Sequence, residues 1–329
     1  MEYVIEVMGL TKKYGKLVAI DNVDFSVSPG EIFGLLGPNG AGKTTTVSML
    51  CTIIKPTSGR AIVNGYDVAK HPNLVRRSIG IVFQDPTVDD RLTGRENLQI
   101  HANLYGVPKN EQKTQIEEVL HLVELTDRAN DLVRTYSGGM RRRLEIARGL
   151  IHYPKVLFLD EPTVGLDPQS REHIWSYLKK LIKYNDLTIV LSTHYLEEAD
   201  QFCSRVAIFD NGKIVAMDTP HHLKEELGGD TIVIRTRNND FFYNLVKASG
   251  LAKSIVKVDK DLKMTVENAH TVLPRITDLA TAHGIYVESV SLQEPRLDEV
   301  FLHFTGKELR ESGEREYSGL TAAMRRQIK

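Results

Sequence analysis

The sequence predicts an α/β protein with a mixed-sheet core, an antiparallel β part near its start and a helical insertion. A small α+β domain of ferredoxin-like order follows. Three observations predict this. Short apolar runs alternate with helical patterns through residues 1–218. A glycine-rich loop joins one of those runs to a helix. After Pro220 the pattern reads strand, helix, strand, strand, helix, strand.

Residues 4–8, 23–27 and 61–63 alternate and are cut by the turn residues Ser28-Pro29-Gly30 and Asn64-Gly65, so they read as antiparallel strands. Residues 32–36, 79–83, 156–159, 188–192 and 206–210 are short apolar runs. Such runs suit strands buried on both faces of a mostly parallel sheet. From about 85 to 150 the pattern turns helical. Residues 111–123 carry Ile116, Val119, Leu120 and Val123 at three-four spacing, which predicts a helical subdomain inserted between two halves of the core.

Beyond Pro220, residues 231–237 read as a strand and 241–249 as a helix. Residues 254–258 and 263–266 read as two strands about the turn Asp259-Lys260-Asp261. Residues 271–283 are helical and 285–292 form a last strand, giving a β-α-β-β-α-β order. An amphipathic helix, 296–304, follows Pro295. From Lys307 the chain is dense in charge and poor in apolar residues, which predicts a weakly structured tail. The expected division is therefore 1–218, 219–306 and a tail 307–329.

Composition excludes several classes. The chain has 329 residues, Lys+Arg 42 against Asp+Glu 43, and a net charge of −1. It is long enough to bury a core, too mixed in sign to bind nucleic acid by bulk charge, and too apolar to be disordered. Its longest apolar runs are strand-sized, far from the ~20 residues of a membrane helix. The acidic, alternating start Met1-Glu2-Tyr3-Val4-Ile5-Glu6 does not read as a signal peptide. Cys51 and Cys203 lack metal-ligand spacing and read as structural thiols of a reducing compartment.

The loop Gly37-Pro38-Asn39-Gly40-Ala41-Gly42-Lys43-Thr44 fits G-x-x-x-x-G-K-[ST], with an apolar strand before it and a helix after it. Glycines let the backbone curl so that several N–H groups face one phosphate. The helix N-terminus adds its positive end. Lys43 is expected at the β- and γ-phosphates, the Thr44 hydroxyl on Mg²⁺, and Thr45 beside the phosphates.

Residues 155–161 form an apolar strand that ends in two carboxylates, Asp160 and Glu161. Beside a phosphate loop, Asp160 is expected to hold Mg²⁺ and Glu161 to activate the attacking water. His194 and Gln84 each lie just past an apolar strand. Strand C-terminal ends in open α/β sheets converge on a ligand crevice, so both are expected to face the same nucleotide.

Ser137-Gly138-Gly139-Met140 opens a helix and resembles the LSGGQ signature of ABC-type ATPases. The order of phosphate loop, Gln84, Ser-Gly-Gly, Asp160-Glu161, Gly165-Leu166-Asp167 and His194 is similar to that family over residues 1–218. The resemblance implies an ATPase that uses ATP and Mg²⁺ and works as a head-to-tail homodimer with nucleotides sandwiched between subunits. It further implies that Tyr14 stacks on adenine and that Ser137, Gly138 and Gly139 bind the γ-phosphate held by the other subunit. Asp167 would act across the dimer, His194 would hold the γ-phosphate, and Gln84 would sense Mg²⁺ and water. The signature departs from the family at Tyr136 and Met140. Arg141, Arg142 and Arg143 after it read as a solvated or interface face, not a nucleic-acid site.

Residues 135–144 and Asp298-Glu299-Val300-Phe301-Leu302-His303-Phe304-Thr305-Gly306 look most like ATP-binding subunits of daunorubicin-resistance-type exporters. That likeness implies a separate membrane permease as partner and a cytoplasmic location on the inner face of the membrane. The alternative is a soluble ABC-type ATPase without a membrane partner. A single phosphate loop argues against tandem-cassette translation factors, and the lack of a long heptad insertion argues against the repair type. The presence of both Glu161 and His194 argues against a non-catalytic regulator.

Overall fold

The computed structural model describes residues 2–307, apart from 186, 228, 259–260 and 294–295. The turn residues Asp259 and Lys260, Pro295 and the charged tail from 308 onward thus lie outside the described residues. The described chain forms two compact units that part between Met217 and Asp218.

The first unit runs β1 (Ile5–Tyr14), β2 (Leu17–Val27), β3 (Ile32–Leu36), α1 (Lys43–Leu50), β4 (Ser58–Val63), β5 (Tyr66–Asp67), α2 (Pro72–Ser78), β6 (Ile79–Val82) and α3 (Gly94–Leu104). It continues with α4 (Lys109–Leu122), α5 (Gly138–Leu150), β7 (Val156–Asp160), α6 (Pro168–Asn185), β8 (Thr188–Thr193), α7 (Leu196–Phe202), β9 (Arg205–Asp210) and β10 (Lys213–Asp218).

A four-stranded antiparallel sheet, β2-β1-β4-β5, packs beside a six-stranded sheet ordered β10-β9-β3-β8-β7-β6. Five strands of the larger sheet are parallel. Every residue of β3, β7 and β8 is buried, as the apolar runs at their centres require. Phe25 of β2 stacks on Phe33 of β3 with ring centroids 5.3 Å apart, so the two sheets share one core. The parallel register aligns Leu36 with Thr193, Asp160 with Ser192, and Val82 with Leu159. The phosphate loop, Glu161, His194 and Gln84 therefore all leave from one edge of the sheet.

Two features differ from the sequence reading. β1 and β2 are ten and eleven residues long, about twice their predicted length. Register shifts between Val7 and Lys13 break the alternation that would have revealed the missing halves. β10 was not predicted, although Asn211-Gly212, both at positive φ (48° and 78°), forms the two-residue turn that joins it to β9.

The second unit opens with α8 (Pro220–Glu226), capped by the Thr219 hydroxyl. It continues β11 (Asp230–Thr236), α9 (Asn239–Ser249), β12 (Ser254–Val258), β13 (Asp261–Val266), α10 (Ala269–Ala282), β14 (Val287–Gln293) and α11 (Leu297–Thr305). Its sheet is antiparallel with order β12-β13-β11-β14. Each helix crossover thus skips one strand, as in the ferredoxin-like order. Ile232, Ile234, Phe242, Val246, Leu262, Met264 and Ile276 fill its separate core.

Candidate active site

The phosphate loop lies between β3 and α1. Gly42 is the N-cap of α1 with φ 108°, a left-handed conformation that a side chain would strain. A Cβ there would also collide with Ile20 and would lie 2.9 Å from the Ala19 carbonyl. With no capping side chain and no acidic residue in the first turn, the positive end of α1 is left to the loop. Lys43 is buried, and its Nζ donates to the carbonyls of Gly37 (2.5 Å) and Pro38 (3.1 Å). Burial lowers its pKa, while Glu161 and Asp160 oppose that shift.

The strand tips supply the opposite charge. Thr44 Oγ1 donates to Asp160 Oδ1 at 3.3 Å, and the Ser192 hydroxyl donates to the same oxygen. Burial raises the Asp160 carboxyl above its ordinary range, and the Ser192 and Thr44 bonds and Lys43 resist that shift. Glu161 turns away from the strand at φ 47°. Its N–H donates to the Ser192 carbonyl and hydroxyl, each at 3.1 Å. Its Oε1 lies 3.2 Å from His194 Nδ1 and 3.8 Å from Lys43 Nζ. Burial would raise the Glu161 carboxyl, but the His194 bond and the Lys43 charge outweigh it and hold it low. Lys43, Thr44, Asp160, Glu161 and His194 thus meet as one cluster, in which Lys43, Asp160 and Glu161 are buried, His194 is half-buried and Thr44 is exposed.

Gln84 follows the end of β6, two residues past Val82, which pairs with Leu159. Tyr14 ends β1 with its hydroxyl buried beside Thr45, and Lys12 Nζ lies 5.0 Å above its ring. Ser137, Gly138 and Gly139 form a second group. Ser137 caps α5 by accepting from the Met140 N–H at 3.2 Å. A Cβ on Gly139 would lie 2.8 Å from Ser170 Oγ, and Ser170 in turn donates to Asp167 at 2.6 Å. Ser137, Gly138 and Asp167 are exposed.

The structure corrects the reading of the basic turn. Arg142 is not solvated: it is buried, and its guanidinium donates to the carbonyls of Asp160, Glu161, Pro162 and Phe83. Sequence reasoning also missed Ser192 and Glu198. Glu198 is buried and accepts from Thr163, Thr193 and Trp175, tying the chain after Glu161 to the strand before His194. Nothing local marked Ser192. A lone serine in an apolar strand has no signal until the register sets it against Asp160.

Comparison with known proteins decides the family. Residues 20–164 match the family described as ABC transporter, and residues 219–305 match the C-terminal domain of DrrA1-3-like ATP-binding proteins. The chain is 39% identical over 311 residues to the linearmycin resistance ATP-binding protein LnrL of Bacillus subtilis (strain 168). That match covers 93% of this chain and all of the relative. The chain belongs to the family of ABC transporter ATP-binding proteins.

A second member of this ABC family, the daunorubicin/doxorubicin resistance ATP-binding protein DrrA of Streptomyces peucetius, is 40% identical over 308 residues, 92% of each chain. A solved dimeric ATP-binding cassette in a post-hydrolysis state with ADP and phosphate bound is 28% identical, with a TM-score of 0.59. It covers 65% of this chain and 98% of the cassette. The chain is thus an ABC-type ATPase. Among its described residues no helix is long and apolar enough to cross a membrane.

Proposed function

We propose that the chain is the ATP-hydrolysing subunit of an exporter whose membrane-spanning permease is a separate chain on whose cytoplasmic face it sits. The convergence of Lys43, Asp160, Glu161 and His194 on the phosphate loop carries the ATP-hydrolysing part of this reading. Relatives named for drug resistance support the exporter role.

The site residues fit a nucleotide and its metal. Side chains at Gly37 and Gly42 would deform the loop, because a Cβ at Gly37 runs into the Phe209 carbonyl and one at Gly42 into Ile20. Thr44 and Asp160 offer hard oxygen donors 3.3 Å apart, and the burial that raises the Asp160 carboxyl is relieved by a cation. When bound, Mg²⁺ neutralises charge on the transferring phosphoryl oxygens.

The protein's own groups do the rest. Lys43 and the first-turn N–H groups of α1 hold the phosphates, and Tyr14 flanks the base. Glu161 is a carboxylate at neutral pH, beside His194 and Lys43, where it can orient an attacking water and accept its proton. His194 fixes that carboxylate from one side and meets the γ-phosphate. Gln84, at the start of the helical insertion, reports metal and water to the partner. Ser137, Gly138, Gly139 and Asp167 face the second copy, whose γ-phosphate completes a homodimer. ATP closes that dimer and hydrolysis reopens it.

The test is co-purification from detergent-solubilised membranes, followed by ATPase assay of the complex. The reading predicts a stoichiometric multi-span protein and ATP turnover that responds to it. Recovery of the tagged chain free of any membrane protein, with turnover indifferent to membranes, would favour a stand-alone ATPase.

A further inference from the structure

Arg142 is a charged group that the proposed chemistry does not use. It sits at the fifth residue of α5, the helix that Ser137 caps, and it is 7% exposed. A guanidinium has five N–H donors, and all five find acceptors. Nε reaches the Pro162 carbonyl at 2.7 Å. Nη1 reaches the Phe83 carbonyl at 2.5 Å and Glu145 Oε2 at 2.8 Å. Nη2 reaches the Asp160 and Glu161 carbonyls, each at 3.1 Å.

Three of these acceptors are the backbone carbonyls of the two functional carboxylates and of the residue before Gln84. Glu161 holds φ 47°, a conformation that costs a non-glycine residue energy and persists only when its surroundings over-determine it. Ser192 holds the Glu161 N–H, and Arg142 completes the determination by clamping three successive carbonyls, 160 to 162. Glu145, one turn along α5, neutralises the charge and accepts from the Thr87 N–H at 2.8 Å, just beyond Gln84. Because Arg142 and Glu145 cancel, the clamp adds little net charge to the phosphate region. Its effect is geometric.

We infer that Arg142 is a positioning residue: it holds the Glu161 backbone and the Gln84 segment on the signature helix, so that the Glu161 carboxylate is aimed for hydrolysis. The inference rests on reading Glu161 as the group that activates water. It assigns Arg142 to the hydrolytic step and not to nucleotide binding, because none of its five bonds reaches the phosphate loop.

The test compares kcat with affinity for a fluorescent ATP analogue in Arg142→Lys and in the double variant Arg142→Gln/Glu145→Gln. The lysine variant keeps the ion pair but has one nitrogen, which cannot span Phe83 and residues 160–162. The double variant removes the buried charges together, so neither is left unpaired. Both should lose at least about ten-fold in kcat with nucleotide affinity within about two-fold of the parent, the pattern of a group that acts only on the chemical step. Glu161→Gln is measured beside them. If it turns over at the parent rate, the reading of Glu161 fails and this inference falls with it. If it is inactive while either Arg142 variant keeps kcat within about two-fold, the inference alone is overturned. A loss of nucleotide affinity that matches the loss of kcat would also overturn it.

Discussion

His194 Nδ1 lies 3.2 Å from Glu161 Oε1, and Lys43 Nζ lies 3.8 Å from the same oxygen. One carboxylate oxygen thus receives both neighbours. Removing His194 strips the larger of the two influences that oppose burial at Glu161. His194→Ala should lower kcat by about 100-fold, the usual scale of a lost acid–base arrangement, with ATP affinity nearly unchanged. Steady-state kinetics with a nucleotide-binding measurement checks it. Parent-like kcat would separate His194 from the reaction.

Ser192 connects the two carboxylates. It donates to Asp160 Oδ1 and receives the Glu161 N–H. Ser192→Ala should push the Asp160 carboxyl further up and weaken metal binding about ten-fold, since hydrogen bonds to charged groups contribute ~1.5–3 kcal/mol. The Mg²⁺ dependence of ATP hydrolysis reads this directly. Excess Mg²⁺ should restore much of the rate.

Tyr136 replaces the leucine of the signature and has its own task. Its hydroxyl donates to the Arg128 carbonyl at 2.6 Å, and a Cβ on Gly94 would lie 2.5 Å from it. The signature loop is thereby pinned to the turn at Arg128 and packs closely against Gly94 at the start of α3. Tyr136→Phe should cost about 1 kcal/mol of stability, the net worth of one neutral hydrogen bond. Denaturant titration measures it, and an unchanged midpoint would remove this role.

Two half-buried histidines give the fold an acid limit. Burial, with Arg148 and His152 adding to it, pushes His101 down to about 4. Burial pushes His152 to about 4 as well, against the bond to the Ile79 carbonyl. Its ring stacks on Tyr105 at 3.8 Å. Both titrate near 6.5 when unfolded, so between those values the unfolded chain binds protons that the native chain refuses. Stability from these sites is complete above pH ~6.5 and is lost as pH falls toward ~4. Thermal midpoints measured across that window should fall less steeply in His101→Gln/His152→Gln. Parallel curves would contradict the assignment.

How much of this was legible in the sequence depended on how local each signal was. The phosphate loop is one continuous stretch, so Gly42, Lys43 and Thr44 announced themselves. Asp160 and Glu161 stood out as two carboxylates ending an apolar run. Gln84 and His194 were legible only through the rule that parallel strands share their C-terminal edge. Arg142 was hidden because three consecutive arginines look alike, although helical geometry points each in a different direction. Arg142 shares a buried face with Ile146 and Gly149 at i+4 and i+7, the spacing that could have singled it out. β10 was hidden only by neglect of Asn211-Gly212, a turn that names its own hairpin.

The measurement that tests the central claim most directly is the molar mass of Glu161→Gln by light scattering, with and without MgATP, beside its rate of ATP hydrolysis. The account predicts a variant that binds ATP, fails to hydrolyse it and shifts from monomer to dimer when ATP is added. A variant that still turns over ATP, or that stays monomeric while saturated with it, would contradict the catalytic role of Glu161 and the dimerising role of the Ser137–Asp167 face.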